Sequence, residues 1–221
     1  MCGRYALHSN PDVVALMFGL SEIPSYAPRY NIAPASQVLI IRRNGAAAVA
    51  SHVRWGLVPR WAKDPSIGPK LNNARAETVA EKPSFRDAYR RRRCLVPANG
   101  FFEWKAEGGR KQPYYIHPSS GTLFAFAGLW EAWEGPGGPL ETCAIITTGA
   151  NESMAAVHDR MPVIVSTAEH SAWLAGDEIP LHACPDAAIA IRRVGRAVNN
   201  ARNDAPALLE PAADASGGSW R

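Results

Sequence analysis

Residues 38–58 read VLIIRRNGAAAVASHVRWGLV, and this stretch decides the fold class. Residues 38–41 are apolar and rich in β-branched side chains, a composition that favours a strand. Asn44-Gly45 follows, and this dipeptide is a strong signal for a tight hairpin turn. We therefore expect residues 47–58 to return as an antiparallel strand that ends at Trp55-Gly56.

Short apolar segments continue this pattern through the rest of the chain, with a few helical segments between them. Strands are predicted at 94–96, 100–105, 114–116, 123–133, 142–148 and 163–165. Helices are predicted at 11–20 with Asn10 as N-cap, at 78–90 with a break or entry at Pro83, and at 168–175 with Thr167 as cap. Residues 59–73 form a long loop rich in Pro, Lys and Asn. The pattern predicts one α+β domain over residues 1–204. Residues 205–221, rich in Ala, Pro, Gly and Ser, are predicted to be a disordered tail.

Composition limits the possible functions without deciding one. The chain has 221 residues, is 47% hydrophobic and carries a net charge of +4. It has no apolar run near the ~20 residues that span a bilayer, and no signal peptide. We expect a cytoplasmic protein, associated with the nucleoid when it is bound to DNA. The four cysteines, Cys2, Cys94, Cys143 and Cys184, are too widely spaced to indicate a zinc site or a disulfide framework.

The N-terminus, Met1-Cys2-Gly3-Arg4-Tyr5, offers distinctive chemistry. We expect Met1 to be removed, because a small residue follows it, which leaves Cys2 with a free α-amine beside its thiol. At pH 7.5 roughly a third of an α-amine is neutral, against about 0.1% of a lysine side chain. Such an aminothiol can attack an aldehyde twice, first through nitrogen and then through sulfur. The alternative is a start codon followed by a small buried cysteine.

Three internal segments carry further candidates, each with a structural alternative. Asn73 and Arg75 would point to one face of an extended segment and could orient a hydroxyl and grip a phosphate; an Asx turn with a surface salt bridge is equally compatible. Glu103, flanked by aromatic residues, would have a raised pKa if buried, although strand alternation would turn it to water. His158 is followed by Asp159, a carboxylate that could fix its tautomer, and by Arg160, a second anion-binding arginine; the alternative is a structural histidine, the commoner role of a lone histidine.

Basic and aromatic residues could add a nucleic-acid surface. The run Arg90–Arg93 is the steepest positive cluster, and it is either a solvated helix end or a phosphate-facing patch. Trp61 and Trp104 are flat surfaces on which bases could stack. Tryptophans are core residues by default, but Trp61 lies in a polar loop.

Together these segments resemble the SRAP family, the SOS-response-associated-peptidase-type proteins that crosslink to abasic sites in single-stranded DNA. The resemblance covers the chain to about residue 204. It rests on MCGRY (1–5), RYNIAP (29–34), WGLVPRW (55–61), NNARAET (72–78), RRCLVPANGFFEW (92–104), PYYI (113–116), AFAGLWE (125–131), ITTGAN (146–151), HDRMPVIV (158–165) and VGRAVNN (194–200). It implies a mostly antiparallel, barrel-like β core flanked by short helices.

The resemblance also implies roles for the candidate residues. Cys2 would form a thiazolidine with the ring-opened deoxyribose, Asn73 would orient the amine and the sugar, Glu103 would act as general acid–base, and His158 would shuttle a proton. The implied DNA-binding residues are Arg4, Asn31, Pro34, Trp61, Arg75, Trp104 and Arg160. The implied partner is single-stranded DNA that contains abasic sites, with no cofactor, metal or membrane. We expect a monomer.

Two other functional classes remain open at this stage. Glutamine amidotransferases also begin with Met-Cys-Gly, so Cys2 could be the acyl nucleophile of an N-terminal-nucleophile hydrolase or peptidase. A non-enzymatic single-strand-binding module would bind intact strands and would not depend on Cys2.

A lyase side reaction and autoproteolytic removal of Met1 would accompany the crosslinking activity.

Overall fold

Strands dominate the computed structural model, which describes residues 2–120 and 123–212. The strands are β1 (Tyr5–Leu7), β2 (Arg29–Ile32), β3 (Gln37–Asn44), β4 (Ala47–Trp55), β5 (Asn73–Arg75), β6 (Arg93–Ala98), β7 (Gly100–Glu107), β8 (Arg110–Pro118), β9 (Phe124–Gly135), β10 (Gly138–Gly149), β11 (Arg160–Pro162) and β12 (Ile189–Arg193). The α-helices are α1 (Pro11–Phe18), α2 (Arg86–Arg91), α3 (Glu152–Ala155) and α4 (His170–Ala175). Short 3₁₀ helices span Pro65–Leu71, Ala76–Thr78, Thr167–Glu169, Asp186–Ala188, Arg196–Asn199 and Pro206–Leu209. Within the described residues, no helix is long and apolar enough to cross a membrane.

Five strands close into a barrel in the order β3, β4, β10, β9, β6 and back to β3. Only the β4–β10 contact is parallel; the other four pairs are antiparallel. All six residues of β6 are buried, because the barrel interior covers one face and other elements cover the other. Trp173 of α4, for example, donates its indole N–H to the Cys94 carbonyl at 2.8 Å. The predicted α+β fold with a barrel-like, mostly antiparallel core is confirmed.

A second, antiparallel sheet in the order β12–β8–β7–β1–β2 packs beside the barrel. Strand β1, which begins three residues after Cys2, lies between β2 and β7 and is therefore paired along both edges. Two short strands extend the barrel: β5 and β11 pair with opposite edges of β10 near its C-terminal end. This arrangement brings the N-terminus, β7 and the end of β10 together.

Local sequence signals predicted the hairpin and the first helix correctly. β3 and β4 pair from Asn44 with Ala47 back to Gln37 with Arg54, around a turn in which Gly45 has a φ of +61°. In α1 the Asn10 side chain accepts a hydrogen bond from the Asp12 amide, as an N-cap should.

Four secondary-structure predictions are wrong in part. A 3₁₀ helix over Pro65–Leu71 interrupts the loop expected at 59–73. The helix expected at 168–175 is α-helical only from His170, after a 3₁₀ turn over Thr167–Glu169, so Thr167 is not its cap. The helix expected over 78–90 is α-helical only at α2, because Pro83 cannot donate a backbone hydrogen bond and α2 begins beyond it. The strand expected at 163–165 lies instead at β11, and Ile164 forms only an isolated bridge to Phe126.

The run Arg90–Arg93 divides into exposed and structural residues. Arg90 and Arg91 are exposed, whereas Arg93 is buried. Its guanidinium stacks on the rings of Tyr89 and Trp173 and donates to the carbonyls of Tyr89 and Asp177. Arg92 donates to buried Glu131 at 2.7 Å. For the second half of the run, the interpretation as a phosphate-facing patch is therefore wrong.

The predicted tail begins too early. Leu208 is 5% exposed and packs with Val194 and Val198, while Pro211 forms a β-bridge with Val194. The Ala212 amide donates to the Arg193 carbonyl at 2.9 Å. Residues 205–212 thus belong to the folded domain, and residues 213–221 lie outside the described part of the chain.

We predict that Gly56→Ala destabilises the fold by about 2–4 kcal/mol. Gly56 has a φ of +131°, and an added Cβ would lie 2.8 Å from the Gly68 carbonyl oxygen, a backbone atom that cannot rotate away. Denaturant unfolding measures the free energy. Gly137→Ala is the matched control, because nothing lies within 4 Å of its added Cβ. Equal stability of the two variants would contradict this account.

Candidate active site

Cys2 lies at the entrance to β1 and is completely buried. Its backbone carbonyl accepts a hydrogen bond from the Asn73 amide nitrogen at 2.7 Å. Burial raises the pKa of the Cys2 thiol well above its ordinary value, and the nearby Glu103 carboxylate raises it further. The thiol is therefore protonated at neutral pH in this state.

Glu103 projects from β7 toward Cys2 and is 3% exposed. Burial raises the pKa of its carboxyl from 4.5 to about 7. Simple alternation would have turned Glu103 to water, and this expectation fails because both faces of β7 are covered. Phe101 packs into the main core, while Phe102 packs into a second cluster with Tyr115 and Val194.

His158 follows α3 and faces Glu103, with its Nε2 atom 3.9 Å from Glu103 Oε2. The Arg160 backbone N–H donates to His158 Nδ1 at 3.0 Å, so the neutral ring carries its proton on Nε2. Burial lowers the pKa of His158, which favours this neutral form. Asp159, which the sequence indicated as the group that fixes the tautomer, has an 85% exposed side chain near Nδ1. Nδ1 thus has two neighbours at 3.0 Å, the Arg160 backbone nitrogen and Asp159 Oδ1.

Asn73 is the first residue of β5, which pairs in parallel with β10 from Ile145 onward. Its nitrogen holds Cys2, while its Oδ1 atom is buried and has no hydrogen-bond partner among the described residues. An acceptor without a partner beside the N-terminal residue is suited to bind a donor on an incoming molecule. The structure therefore brings Cys2, Asn73, Glu103 and His158 into one site, as predicted.

A polar groove leads away from Asn73. It has a volume of about 370 Å³ and is lined by Lys70, Leu71, Asn72, Asn73, Arg75, Thr78, Lys82, Ser84 and Phe85. Arg75 is exposed and lies two residues after Asn73 on the same strand, as the sequence indicated. The lining holds three basic residues and no acidic residue, so it favours an anionic ligand.

Trp61 lies beside this groove, and its side chain is 57% exposed. Its indole N–H donates to the Pro83 carbonyl at 3.3 Å. The loop is held on both sides of Trp61, by a 3.1 Å bond from Arg60 to Glu131 and by a 2.7 Å bond from Trp133 to the Ala62 carbonyl. The indole is thus held in a fixed position and faces solvent, whereas the indole of a core tryptophan would be buried.

Arg160 is paired with an acidic residue rather than open to solvent. Its two terminal nitrogens donate to the two carboxylate oxygens of Glu77 at 2.5 and 3.0 Å, and one of them also donates to the Thr147 carbonyl at 2.7 Å. These hydrogen bonds lower the pKa of Glu77. The sequence indicated Arg160 as an anion-binding residue but did not indicate its partner.

Arg4 and Trp104 form a second cleft, with Lys111 and Asn199. The Arg4 guanidinium lies 5.7 Å from the centre of the Trp104 ring, and the Trp104 indole donates to Asn199 at 2.7 Å. Lys111 and Asn199 were missed at the sequence level, because they are contributed by separate segments that only the fold brings together.

Asn31 and Pro34 are the remaining DNA-binding residues that the resemblance implied. Asn31 is fully buried; it accepts from Arg4 at 2.8 Å and donates to the carbonyls of Val198, Asn200 and Asn203. It is therefore a support for Arg4 and the 198–203 segment rather than a surface contact. Pro34 is half-buried in the turn between β2 and β3.

Comparisons with known proteins identify the family of this chain. The family described as "SOS response associated peptidase (SRAP)" matches residues 1–201. The chain belongs to the SRAP family. It is 42% identical to the abasic site processing protein YoqW of Bacillus subtilis, across 95% of this chain and 99% of that protein. It is 32% identical to the abasic site processing protein YedK of Escherichia coli, across 96% and 100% of the two chains.

A solved structure also matches the fold of this SRAP domain. The crystal structure of a protein from Bacteroides thetaiotaomicron superposes with a TM-score of 0.84 at 26% identity, covering 96% of this chain and 100% of that chain. The barrel and the second sheet are therefore shared by a relative of low sequence identity.

We predict that Glu103→Gln stabilises the protein at high pH. Because the folded-state pKa is about 7, against 4.5 ordinarily, the folded state binds more protons than the unfolded state between these values. The wild type thus loses stability as pH rises from 4.5 to 7, by about 3 kcal/mol in all, and the variant does not. Denaturant unfolding from pH 4 to pH 8 measures the difference. A stability difference that is independent of pH would contradict the raised pKa.

Proposed function

We propose that this SRAP protein captures abasic sites in single-stranded DNA by forming a thiazolidine between Cys2 and the ring-opened deoxyribose, which protects the lesion during the DNA damage response. The observation that carries the proposal is the meeting of buried Cys2 and Glu103 with half-buried Asn73 and His158 in one site. The name shared by the curated relatives supports abasic DNA as the target.

The covalent chemistry begins after Met1 has been removed, either by a cellular aminopeptidase or by the protein itself. The α-amine of Cys2 adds to the aldehyde carbon, and loss of one water gives a Schiff base. The thiol sulfur then adds to the same carbon, and its proton passes to the nitrogen. One C–N bond and one C–S bond replace the carbonyl, and one water is released.

Proton transfers in this sequence are assigned to Glu103 and His158. A carboxyl with a pKa of about 7 is roughly half protonated at neutral pH, so Glu103 can protonate the departing hydroxyl and recover the proton later. Neutral His158 carries its proton on Nε2 and can donate from this atom to the sugar. Because the thiol pKa is strongly raised, the amine attacks first and the sulfur second.

The strand is held on both sides of the reacting sugar. Arg75 and Arg160 bind flanking phosphates, and Arg4 adds positive charge in the Trp104 cleft. Trp61 and Trp104 stack on neighbouring bases, which is worth about 1–3 kcal/mol per base. Two phosphate contacts to a single strand give a salt slope of only about −1.4, so the non-covalent grip is weak and the covalent bond supplies retention.

We expect the Met-trimmed protein to form a heat-stable adduct with a single-stranded oligonucleotide that carries one abasic site, seen as a shifted band on a denaturing gel. Cys2→Ser keeps the α-amine but lacks the thiol, so it should lose the heat-stable band while borohydride still traps its Schiff base. An oligonucleotide without the lesion should give no band.

Absence of the wild-type band, with loss of Met1 verified by mass, would contradict crosslinking. Release of ammonia from glutamine would then favour the alternative, an N-terminal-nucleophile amidohydrolase. Strand cleavage by β-elimination from the Schiff base, measured on the same gel, tests for an accompanying lyase activity.

The capture rate should depend on pH as the product of two fractions. The neutral fraction of the α-amine rises up to its pKa near ~7.7–8.0, and the protonated fraction of Glu103 falls above a pKa of about 7. The initial rate should therefore rise below pH 7, pass through a broad maximum and fall above pH 8. Glu103→Gln should react about 10²–10⁴-fold more slowly and lose the alkaline decline. If the decline remains in this variant, Glu103 is not the acid.

A further inference from the structure

The Arg160 guanidinium, which the proposed function assigns to a DNA phosphate, already binds an anion of the protein itself. Glu77 accepts from both terminal nitrogens of Arg160. A carboxylate and a phosphate present similar pairs of oxygens to a guanidinium, so they compete for the same two-point contact. In the free protein, Glu77 occupies the position that the phosphate would take.

The remaining donors of Arg160 are too few for a second anion to bind in the same way. One terminal nitrogen uses its hydrogens on Glu77 and Thr147, and Nε is buried without a partner among the described residues. The Arg160 side chain is only 16% exposed. A two-point contact with a phosphate therefore requires Glu77 to leave.

Glu77 is free to leave without loosening Arg160. Its side chain is 53% exposed and comes from the 3₁₀ turn Ala76–Thr78, which follows β5 on one edge of β10. Arg160 comes from β11 on the opposite edge of β10, where it pairs with Gly149 and keeps its bond to the Thr147 carbonyl. The two residues thus meet over β10, and only one of them depends on the pair for its position.

We propose that Glu77 is an internal competitor of the DNA phosphate at Arg160 and sets how weakly an intact strand is held. This inference rests on the proposed function and deepens it by naming a specificity-determining residue. An intact strand must displace Glu77 and has only reversible contacts with which to do so. A strand with an abasic site becomes covalently attached, so weaker phosphate binding affects its retention much less. The pair therefore favours lesions over undamaged strands.

The test measures binding of an intact, fluorescently labelled single-stranded oligonucleotide by anisotropy at about 50 mM salt. Glu77→Gln removes the competing charge and should bind about three- to tenfold more tightly, because an intact strand leaves Arg160 bound to Glu77 in the wild type and gains this second phosphate contact only in the variant, where it contributes about eightfold at this salt concentration. The salt slope should steepen by about 0.7 for the same reason. Glu77→Asp keeps the charge with a shorter reach and should gain less.

Two controls separate competition from a general charge effect. Glu81→Gln makes the same change of charge four residues along the chain, at an exposed side chain that has no ion pair within the described residues. It should shift the affinity by less than about twofold. In an Arg160→Gln background, Glu77→Gln should give no gain, because the contact that it releases is absent.

Several results would overturn the competitor role. One is an equal gain in affinity in Glu77→Gln and Glu81→Gln, and another is a gain in affinity that persists without Arg160. A loss of affinity in both Glu77 variants, or no measurable binding by Glu77→Gln, would also contradict it. Thermal unfolding of each variant identifies a loss that comes from misfolding, and Glu77→Asp then decides. The oligonucleotide contains no aldehyde, so this result is independent of whether Cys2 forms a crosslink.

Discussion

The pairing of β1 along both edges is the constraint on which the site depends. An N-terminal segment is usually mobile, because it is tied down at one end only. Here the Arg4 carbonyl accepts from the Phe102 amide at 2.9 Å and the Ala6 carbonyl accepts from the Asn99 amide at 2.8 Å, which fixes the chain immediately after Cys2. Asn73 fixes Cys2 itself from the other side. Cys2, the nucleophile of the proposed reaction, is thus held near one carboxylate instead of sampling many positions, which is the positional advantage that intramolecular catalysis exploits.

The same burial that positions Cys2 sets the electrostatics of the site. Covering β7 on both faces removes Glu103 from water and raises its pKa, and the resulting acid is useful near neutral pH at the expense of folding stability. His158 is affected in the opposite direction, because burial disfavours its charged form. The two titratable groups, within 4 Å of each other, thus have pKa values shifted in opposite directions, which reverses their ordinary order and favours the proton on Glu103 over a second proton on His158.

How much could be predicted from the sequence depended on whether the signal was local. The β3–β4 hairpin and the Asn10 cap involve residues close together in the chain, and both predictions were correct. The positions of Asn31 and Leu208 could not be predicted, because their partners lie far away in the sequence. The four residues of the site were indicated by family motifs. The motifs identify these residues but do not show which contacts bring them together.

The arginines show most clearly that a motif and a positive charge do not identify a phosphate-binding residue unless its carboxylate partner is also known. Arg75, Arg92 and Arg160 carry the same guanidinium group, and each lies within one of the family motifs. Arg75 is exposed beside the groove, Arg92 is bound to buried Glu131, and Arg160 is bound to half-exposed Glu77. A buried carboxylate that holds an arginine cannot be displaced without leaving a charge out of water. A half-exposed one can return to solvent at little cost. The exposure of the carboxylate partner, rather than that of the arginine, therefore decides which of the paired arginines can exchange its partner for a phosphate.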